Sequence, residues 1–136
     1  MTMPNTAYIA IKYHPDNANR PLIEALSRAL ARNGVESVCI ARDVERWGAI
    51  HLPPDALMRA SFAALDACDL VVVELTEKGV GIGIEAGYAW ARGIPILTLA
   101  QRGADVSTTL QGISREVVWY NEMSALDEVL ARVLSP

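Results

Sequence analysis

The sequence predicts a single α/β domain, in which helices cover both faces of an open, five-stranded parallel sheet. Five short apolar runs alternate with amphipathic segments, and every parallel crossover needs such a covering element. The run LVVVEL at 70–75 is continuous and β-branched, as in a strand buried on both faces. A length of 136 residues suits one domain, so we expect residues 1–136 to form one Rossmann-like, flavodoxin-like unit.

The elements are predicted from apolar periodicity and from helix start and stop signals. Strands are expected at 7–11, 35–40, 70–75, 95–100 and 117–120. Helices are expected at 17–33, from Pro53 and Pro54 to about Ala67, from about Ile84 to Arg92, and over MSALDEVLARVL with Asn121 or Ser124 as its cap. The helix after Glu85 carries Tyr88 and Trp90, for which core packing is the expectation.

Composition excludes several classes of partner. The chain is 51% hydrophobic with net charge −4, and no run of Lys and Arg forms a basic stripe, so nucleic acid is not expected. No apolar run approaches the ~18 to 20 residues of a membrane span. The amino terminus lacks signal-peptide features, and the separated Cys39 and Cys68 indicate buried, reduced thiols in a cytoplasmic protein. His14 and His51 have no metal-ligand spacing, so neither a metal nor a cofactor is predicted.

Four polar segments fall at the carboxyl ends of the predicted strands, where ligands bind in such folds. They are IKYHPDN, ARDVERWG, TEKGVGIGIE and AQRGADVSTT. His14 either contacts a ligand or lies on a surface loop. Trp47 either stacks on a nucleobase or packs as a lid on the sheet edge. Arg42, Asp43 and Glu45 either read a base or belong to a solvated loop.

The stretch GVGIGIEAGY at 79–88 carries one carboxylate, Glu85, in a run of small and apolar residues. Its glycine spacing fits a relaxed dinucleotide fingerprint but follows the third strand after five intervening residues, and no GK[ST] follows the glycines. Glu85 is either a first-turn acid that satisfies a helix dipole, or an anionic nucleophile or electrostatic stabiliser. Glycines at 79, 81 and 83 let a ligand approach the backbone closely.

The segment DLVVVELTEKGVGIGIEAGYAWARGIPILTLA resembles the core motif of the nucleoside 2-deoxyribosyltransferase family. That family includes 2′-deoxynucleoside 5′-phosphate N-glycosidases and pyrimidine nucleoside monophosphate hydrolases of antibiotic pathways, and ERWGAIHLPP looks like the second-strand loop of the latter. The resemblance implies cleavage or transfer of the N-glycosidic bond of a nucleoside or nucleoside 5′-monophosphate.

Site residues follow from this resemblance by position. Glu85 matches the family's nucleophile, and Tyr8, at the end of the first strand, matches a tyrosine near it. Gly79, Gly81 and Gly83 match the loop that meets the 5′ end of the substrate. Ser107 matches a residue that the neighbouring subunit contributes to the 5′-phosphate, which implies a homodimer or homotetramer with shared active sites. Ser107 to Thr109 equally fit a cap for a helix at Leu110.

The chain departs from the family pattern at two places. Ser61 stands where the family has an acid that holds a sugar hydroxyl or assists the leaving base. The first loop lacks the usual glycine, although Lys12 and His14 in it could face an anion. Ser61 favours a rival hypothesis, a non-catalytic nucleotide or nucleotide-sugar binding protein on the same fold. Retention of Glu85 opposes it, because a binding site for an anion has little use for a carboxylate.

Overall fold

The computed structural model describes residues 3–135 and contains one five-stranded, all-parallel sheet. The strand order is β2-β1-β3-β4-β5, which confirms the predicted fold class. The strands are β1 (Thr6–Ile11), β2 (Glu36–Val38), β3 (Leu70–Glu74), β4 (Ile96–Gln101) and β5 (Glu116–Tyr120).

Six α-helices and two short 3₁₀ turns lie between and after the strands within this range. The helices are α1 (Arg20–Arg32), α2 (Ile40–Asp43), α3 (Pro54–Asp66), α4 (Val80–Ala91), α5 (Thr108–Ile113) and α6 (Leu126–Val133), and the 3₁₀ turns are Arg46–Gly48 and Met123–Ala125. Helices α1 and α6 pack on one face of the sheet, and α3, α4 and α5 on the other. None of the helices in residues 3–135 is long and apolar enough to cross a membrane.

The central strand β3 confirms the interpretation of LVVVEL as a strand covered on both sides. All five of its residues are buried. Leu70 and Val72 belong to the core against α1 and α6, whereas Val71 and Val73 belong to the core against α3 and α4. Successive side chains of a strand point to opposite faces, so a strand between two helical layers is apolar on both faces, as Leu70 to Val73 are here.

A buried carboxylate holds the carboxyl edge of the sheet together. Glu74 accepts hydrogen bonds from the Thr76 backbone N–H at 2.8 Å, from the Thr76 hydroxyl at 2.7 Å and from the Tyr120 hydroxyl. The Thr76 hydroxyl oxygen in turn accepts from the Gln101 N–H at 2.9 Å. These bonds join the ends of β3, β4 and β5 and hold the loop that leads into α4.

Helix α4 begins four residues earlier than the sequence predicted, at Val80 rather than Ile84. Gly79 is its extended N-cap, so Gly81 and Gly83 lie inside the helix and not in a loop. Glycine has low helix propensity, which is why a local pattern leaves such residues outside a helix. Burial of Ile82 and Ala86 against the core supplies the tertiary packing that overrides this propensity.

Two other local expectations also fail. The second strand ends at Val38, and Cys39 then caps the short helix α2. Neither Asn121 nor Ser124 caps α6, whose N-cap is Ala125. Both cysteines are buried and unpaired, as predicted.

Candidate active site

A cavity of about 490 Å³ opens at the carboxyl end of β1, between α4 and the segment that follows β2. Strand β1 lies between β3 and β2, and this position brings the two segments face to face. The predicted site residues that line this cavity are Tyr8, Lys12, His14, Ser61, Gly79, Gly81 and Glu85.

The Glu85 carboxylate is bound to Tyr8. The Tyr8 hydroxyl donates a hydrogen bond to Glu85 Oε2, as expected from their predicted proximity. Tyr8 is the third residue of β1, not its end, and it is completely buried. Ile82, Ala86 and Ala89 fasten α4 to the core, so Glu85 on the same helix is held against the sheet.

Burial raises the pKa of Glu85 to about 7, and the hydrogen bond from Tyr8 offsets only part of this rise. Burial thus opposes the anionic form that the sequence pattern predicted for Glu85. Because α4 begins at Val80, Glu85 lies in the second turn, and the effect of the helix dipole falls off within the first. Burial, followed by the charge of Glu85, raises the pKa of Tyr8 far above its ordinary value, so Tyr8 remains a hydrogen-bond donor.

The glycines of α4 have three different environments. A Cβ at Gly81, one turn before Glu85, would lie 4.0 Å from Glu85 Oε1. A Cβ at Gly79 would lie 3.3 Å from Cδ of Lys12. A Cβ at Gly83 would meet nothing within 4 Å, and Gly83 does not line the cavity. Gly81 thus keeps the space over Oε1 open, and Gly79 leaves room for the Lys12 side chain.

Ser61 is buried on α3 beside the Tyr8–Glu85 pair. Its hydroxyl donates a hydrogen bond to the Leu57 carbonyl, one turn earlier, at 3.0 Å. The same hydroxyl lies close enough to Tyr8 to lower the pKa of that phenol. A hydroxyl therefore contacts the pair at the position where the family motif has a carboxylate.

The first loop brings two basic side chains to the cavity. His14 Nε2 lies 2.9 Å from Glu77 Oε1, which joins this loop to the loop before α4. The Lys12 ammonium group has no hydrogen bond or ion pair with any residue in 3–135. Lys12 is thus a cation available to a ligand.

Arg42 and Asp43 lie outside the cavity. Arg42 donates to the Ser27 hydroxyl at 2.6 Å and to the Ser37 carbonyl at 2.9 Å, and it also pairs with Asp43. Asp43 accepts from the Cys39 N–H at 2.9 Å, at the start of α2. Their polar atoms link the end of β2 to α1 through hydrogen bonds. This geometry favours the alternative in which Arg42 and Asp43 do not read a base.

Trp47 also lies outside the cavity. The Arg20 guanidinium carbon lies over the Trp47 ring, 4.5 Å from its centroid. The ring also packs against the hydrophobic core on the α1 side of the sheet. The Asn17 side chain donates to the Trp47 carbonyl at 2.9 Å. These contacts match the alternative in which Trp47 packs at the sheet edge, and they position the loop that follows α2.

Of the polar residues in that loop, Glu45 is the one that reaches the cavity. The sequence placed Glu45 in the same group as Arg42 and Asp43, because all three are charged residues of one loop. Nothing in the local pattern separates them. The distinction comes from the path of the chain through α2 and the following 3₁₀ turn.

Ser107 does not line the cavity of its own chain. It is the N-cap of α5, and its hydroxyl oxygen accepts from the Leu110 N–H at 3.4 Å. Among residues 3–135, no group of three or more His, Cys, Asp or Glu side chains is arranged to hold a metal ion.

Comparison with known proteins decides the family. A model described as nucleoside 2-deoxyribosyltransferase matches residues 7–124. The chain belongs to this family. The predicted class of reaction, cleavage or transfer of an N-glycosidic bond, is thereby confirmed at the level of the family.

Individual relatives are distant. A protein of Thermofilum pendens, whose name proposes 2′-deoxynucleoside 5′-phosphate N-hydrolase activity, is 26% identical over 133 residues, covering 93% of this chain and 90% of the relative. The CMP N-glycosidase BcmB of Clostridium botulinum superposes with a TM-score of 0.72 at 21% identity, covering 95% and 99% of the two chains. A 2-deoxyribosyltransferase of Bacillus psychrosaccharolyticus gives 0.69 at 10% identity and 95% coverage of each chain. The structural matches support the fold.

The raised pKa of Glu85 predicts how Glu85→Gln changes stability with pH. An unfolded Glu titrates near pH ~4.3, so wild-type protein loses stability as pH rises from there through about 7, because the partly buried Glu85 carboxylate must ionise. Gln cannot ionise, so the variant should match wild type at about pH 5 and exceed it at about pH 8.5 by roughly 1 to 3 kcal/mol. Urea unfolding at both pH values measures this difference. Glu36→Gln, at an exposed position at the amino end of β2, is the control, and a difference independent of pH would contradict the prediction.

Proposed function

We propose that this protein cleaves the N-glycosidic bond of a nucleoside 5′-monophosphate, with Glu85 as the nucleophile. The observation that carries the proposal is the Glu85 carboxylate in the cavity, with Oε2 held by Tyr8 and Oε1 next to the space that Gly81 leaves open. A carboxylate that is poorly solvated and held in one orientation is suited to attack a sugar carbon.

In the first step, Glu85 Oε1 forms a bond to C1′ of the sugar. The bond from C1′ to the base nitrogen breaks, and its electron pair leaves with the base. Tyr8 holds the other carboxylate oxygen and thereby fixes the orientation of the nucleophile. In the second step, the oxygen of a water molecule, or a nitrogen of a second base, bonds to C1′, and the bond from C1′ to Glu85 breaks. The proton of the acceptor passes to the departed base or to solvent.

Support for a phosphate on the substrate comes from Lys12 and from the start of α4. Lys12 lines the cavity beside Gly79, and its ammonium group has no partner among residues 3–135. The first N–H groups of a helix lack intrahelical acceptors and favour an anion. Since the whole chain has net charge −4, binding of a phosphate depends on such a local site.

We also propose that the active form is a homodimer with shared sites. The outward face of α4 carries Val80, Ile84 and Trp90, which are 83%, 46% and 61% exposed, together with Gly83 and Gly87. Trp90 was expected in the core and is instead on this surface. An exposed apolar helix face is normally covered by another surface. Helix α5, which has Ser107 as its N-cap, packs beside α4. A second copy on this face would bring Ser107 towards the α4 of its partner.

One observation supports the alternative hypothesis of a non-catalytic nucleotide-binding protein. Ser61 provides a hydroxyl and no second acid next to the Tyr8–Glu85 pair. Such a protein would bind nucleotides without releasing free base. Release of base from nucleoside monophosphates therefore distinguishes the two candidates.

Replacement of Glu85 by Gln tests the nucleophile. The change keeps the shape and removes the charge, so kcat should fall by roughly three or more orders of magnitude while nucleotide binding is retained, because the lost interaction belongs to the chemical step. Free base released from nucleoside monophosphates, and nucleotide affinity by calorimetry, are the measurements. Glu36→Gln should retain full activity. Unchanged turnover in Glu85→Gln would exclude Glu85 as the nucleophile.

Replacement of Tyr8 by Phe tests how the nucleophile is tuned. The reactive form of Glu85 is the carboxylate, so activity should rise with pH through the Glu85 pKa of about 7. Tyr8 lowers that pKa, so its removal should move the rising limb of the kcat/KM profile to higher pH and also lower the plateau. Tyr88→Phe removes another tyrosine–carboxylate bond, to Asp66 outside the cavity, and should leave the profile in place. An unshifted limb in Tyr8→Phe would count against the proposed role.

Mixed subunits test the shared site. The Ser107→Ala and Glu85→Gln variants should each have low activity as homodimers and regain activity when co-expressed. In the mixed dimer, one site combines the intact Glu85 of the first chain with the intact Ser107 of the second. Random pairing predicts about one quarter of wild-type activity. Co-expression of the Glu85→Gln chain with the Tyr8→Phe chain is the control. Glu85 and Tyr8 line the same cavity of one chain, so a mixed dimer contains no site in which both residues are intact. Recovery no greater than the mean of the two variants would contradict a shared site.

A further inference from the structure

In the proposed function, on which this inference rests, the leaving base lies on the side of the cavity away from Glu85. In a displacement at C1′, the attacking oxygen and the departing nitrogen lie on opposite sides of that carbon. Glu85 approaches from α4, which packs against β1 and β3. Across β1 from β3 lies β2, so the base faces the segment that follows β2.

This wall of the cavity is mostly apolar. It is lined by Ile40 and Ala41 of α2 and by Leu57 and Met58 of α3. Such side chains accommodate the faces of a base but do not distinguish one base from another by hydrogen bonding. The charged side chain on this wall is that of Glu45.

The backbone of Glu45 is fixed, whereas its carboxylate is left without a partner. The Glu45 N–H donates to the Ile40 carbonyl at 2.9 Å, and the Glu45 carbonyl accepts from Gly48 at 3.0 Å and from Ile50 at 2.9 Å. Its carboxylate makes no hydrogen bond or ion pair with any other residue of 3–135. The neighbouring charged residues Arg42 and Asp43 are instead bound to each other and to nearby polar groups.

An acceptor without a partner on an otherwise apolar wall suits a ligand that brings a donor. The amino groups of cytosine, at C4, and of adenine, at C6, are such donors, and carboxylates accept from the amino group of cytosine. Uracil and hypoxanthine carry a carbonyl oxygen at the corresponding positions. A carboxylate would face that oxygen with no proton between them, which leaves both acceptors unpaired at a cost in affinity.

We infer that Glu45 is the specificity-determining residue of this site: it accepts a hydrogen bond from the amino group of the base and selects cytosine or adenine nucleotides over uracil or hypoxanthine nucleotides. Lys12, in this arrangement, binds the phosphate end, and Glu45 binds the base end. One cation and one carboxylate thus recognise the two ends of the same ligand.

The test uses two pairs of nucleotides that differ at the base position in question, CMP with UMP and AMP with IMP, in ribose and 2′-deoxyribose forms. Binding is measured by calorimetry in the Glu85→Gln protein, where cleavage does not interfere. The amino member of at least one pair should bind about 5- to 150-fold more tightly than its partner, the range expected for discrimination by a directed hydrogen bond. Equal binding within both pairs, preference for UMP or IMP, or no binding of either pair would overturn the inference.

Glu45→Gln in the same Glu85→Gln background provides the second measurement. A glutamine amide both donates and accepts, so it should reduce the ratio to within about 3-fold, mainly by improving the affinity for the carbonyl-bearing nucleotide. Glu36→Gln should leave the ratio unchanged. A ratio unaffected by Glu45→Gln would overturn the inference even if the protein cleaves nucleotides. Conversely, a ratio that collapses as expected in a protein that never releases free base would support the inference and contradict the proposed catalysis.

Discussion

The hydrogen bond from Tyr8 to the partly buried carboxylate of Glu85 is the interaction on which the site depends. It joins the middle of β1 to the second turn of α4, so the sheet and the helix must pack correctly for the pair to form. Burial of the carboxylate opposes its ionisation and raises its pKa to about 7. In the proposed mechanism, the stability that the folded protein loses by ionising Glu85 accompanies the reactivity of a poorly solvated carboxylate.

Several parts of the fold keep α4 in the position that this bond requires. The Glu74 carboxylate joins the ends of three strands and holds the loop before α4, while Ile82 and Ala86 fix the helix to the core. The glycines complete the arrangement for steric reasons, because Gly79 and Gly81 leave space for Lys12 and over Glu85 Oε1. Gly79 and Gly81 thus shape the cavity by the absence of side chains.

The segment after β2 has a different role from the one its charges suggest. Arg42 and Asp43 fasten this segment to α1, and Trp47 packs under Arg20, so these conspicuous polar and aromatic residues are bound within the protein. Their contacts determine the course of the loop, and that course brings Glu45 to the cavity. The cavity therefore has a free cation, Lys12, and a free carboxylate, Glu45, within the part of the chain that the structure describes.

The sequence by itself determined the fold class, the central strand and the neighbourhood of Glu85 and Tyr8. The first two follow from periodicity and from an apolar run long enough for one strand, whereas the third follows from the resemblance to the family. Only the tertiary structure decided where α4 begins, that Trp90 lies on the surface, that burial raises the pKa of Glu85, and that Glu45 rather than Arg42 reaches the cavity. The physical reason is common to all four. Helix starts among glycines, exposure, desolvation and the direction of a loop depend on contacts between residues distant in the chain, and a local pattern of residue types does not contain those contacts.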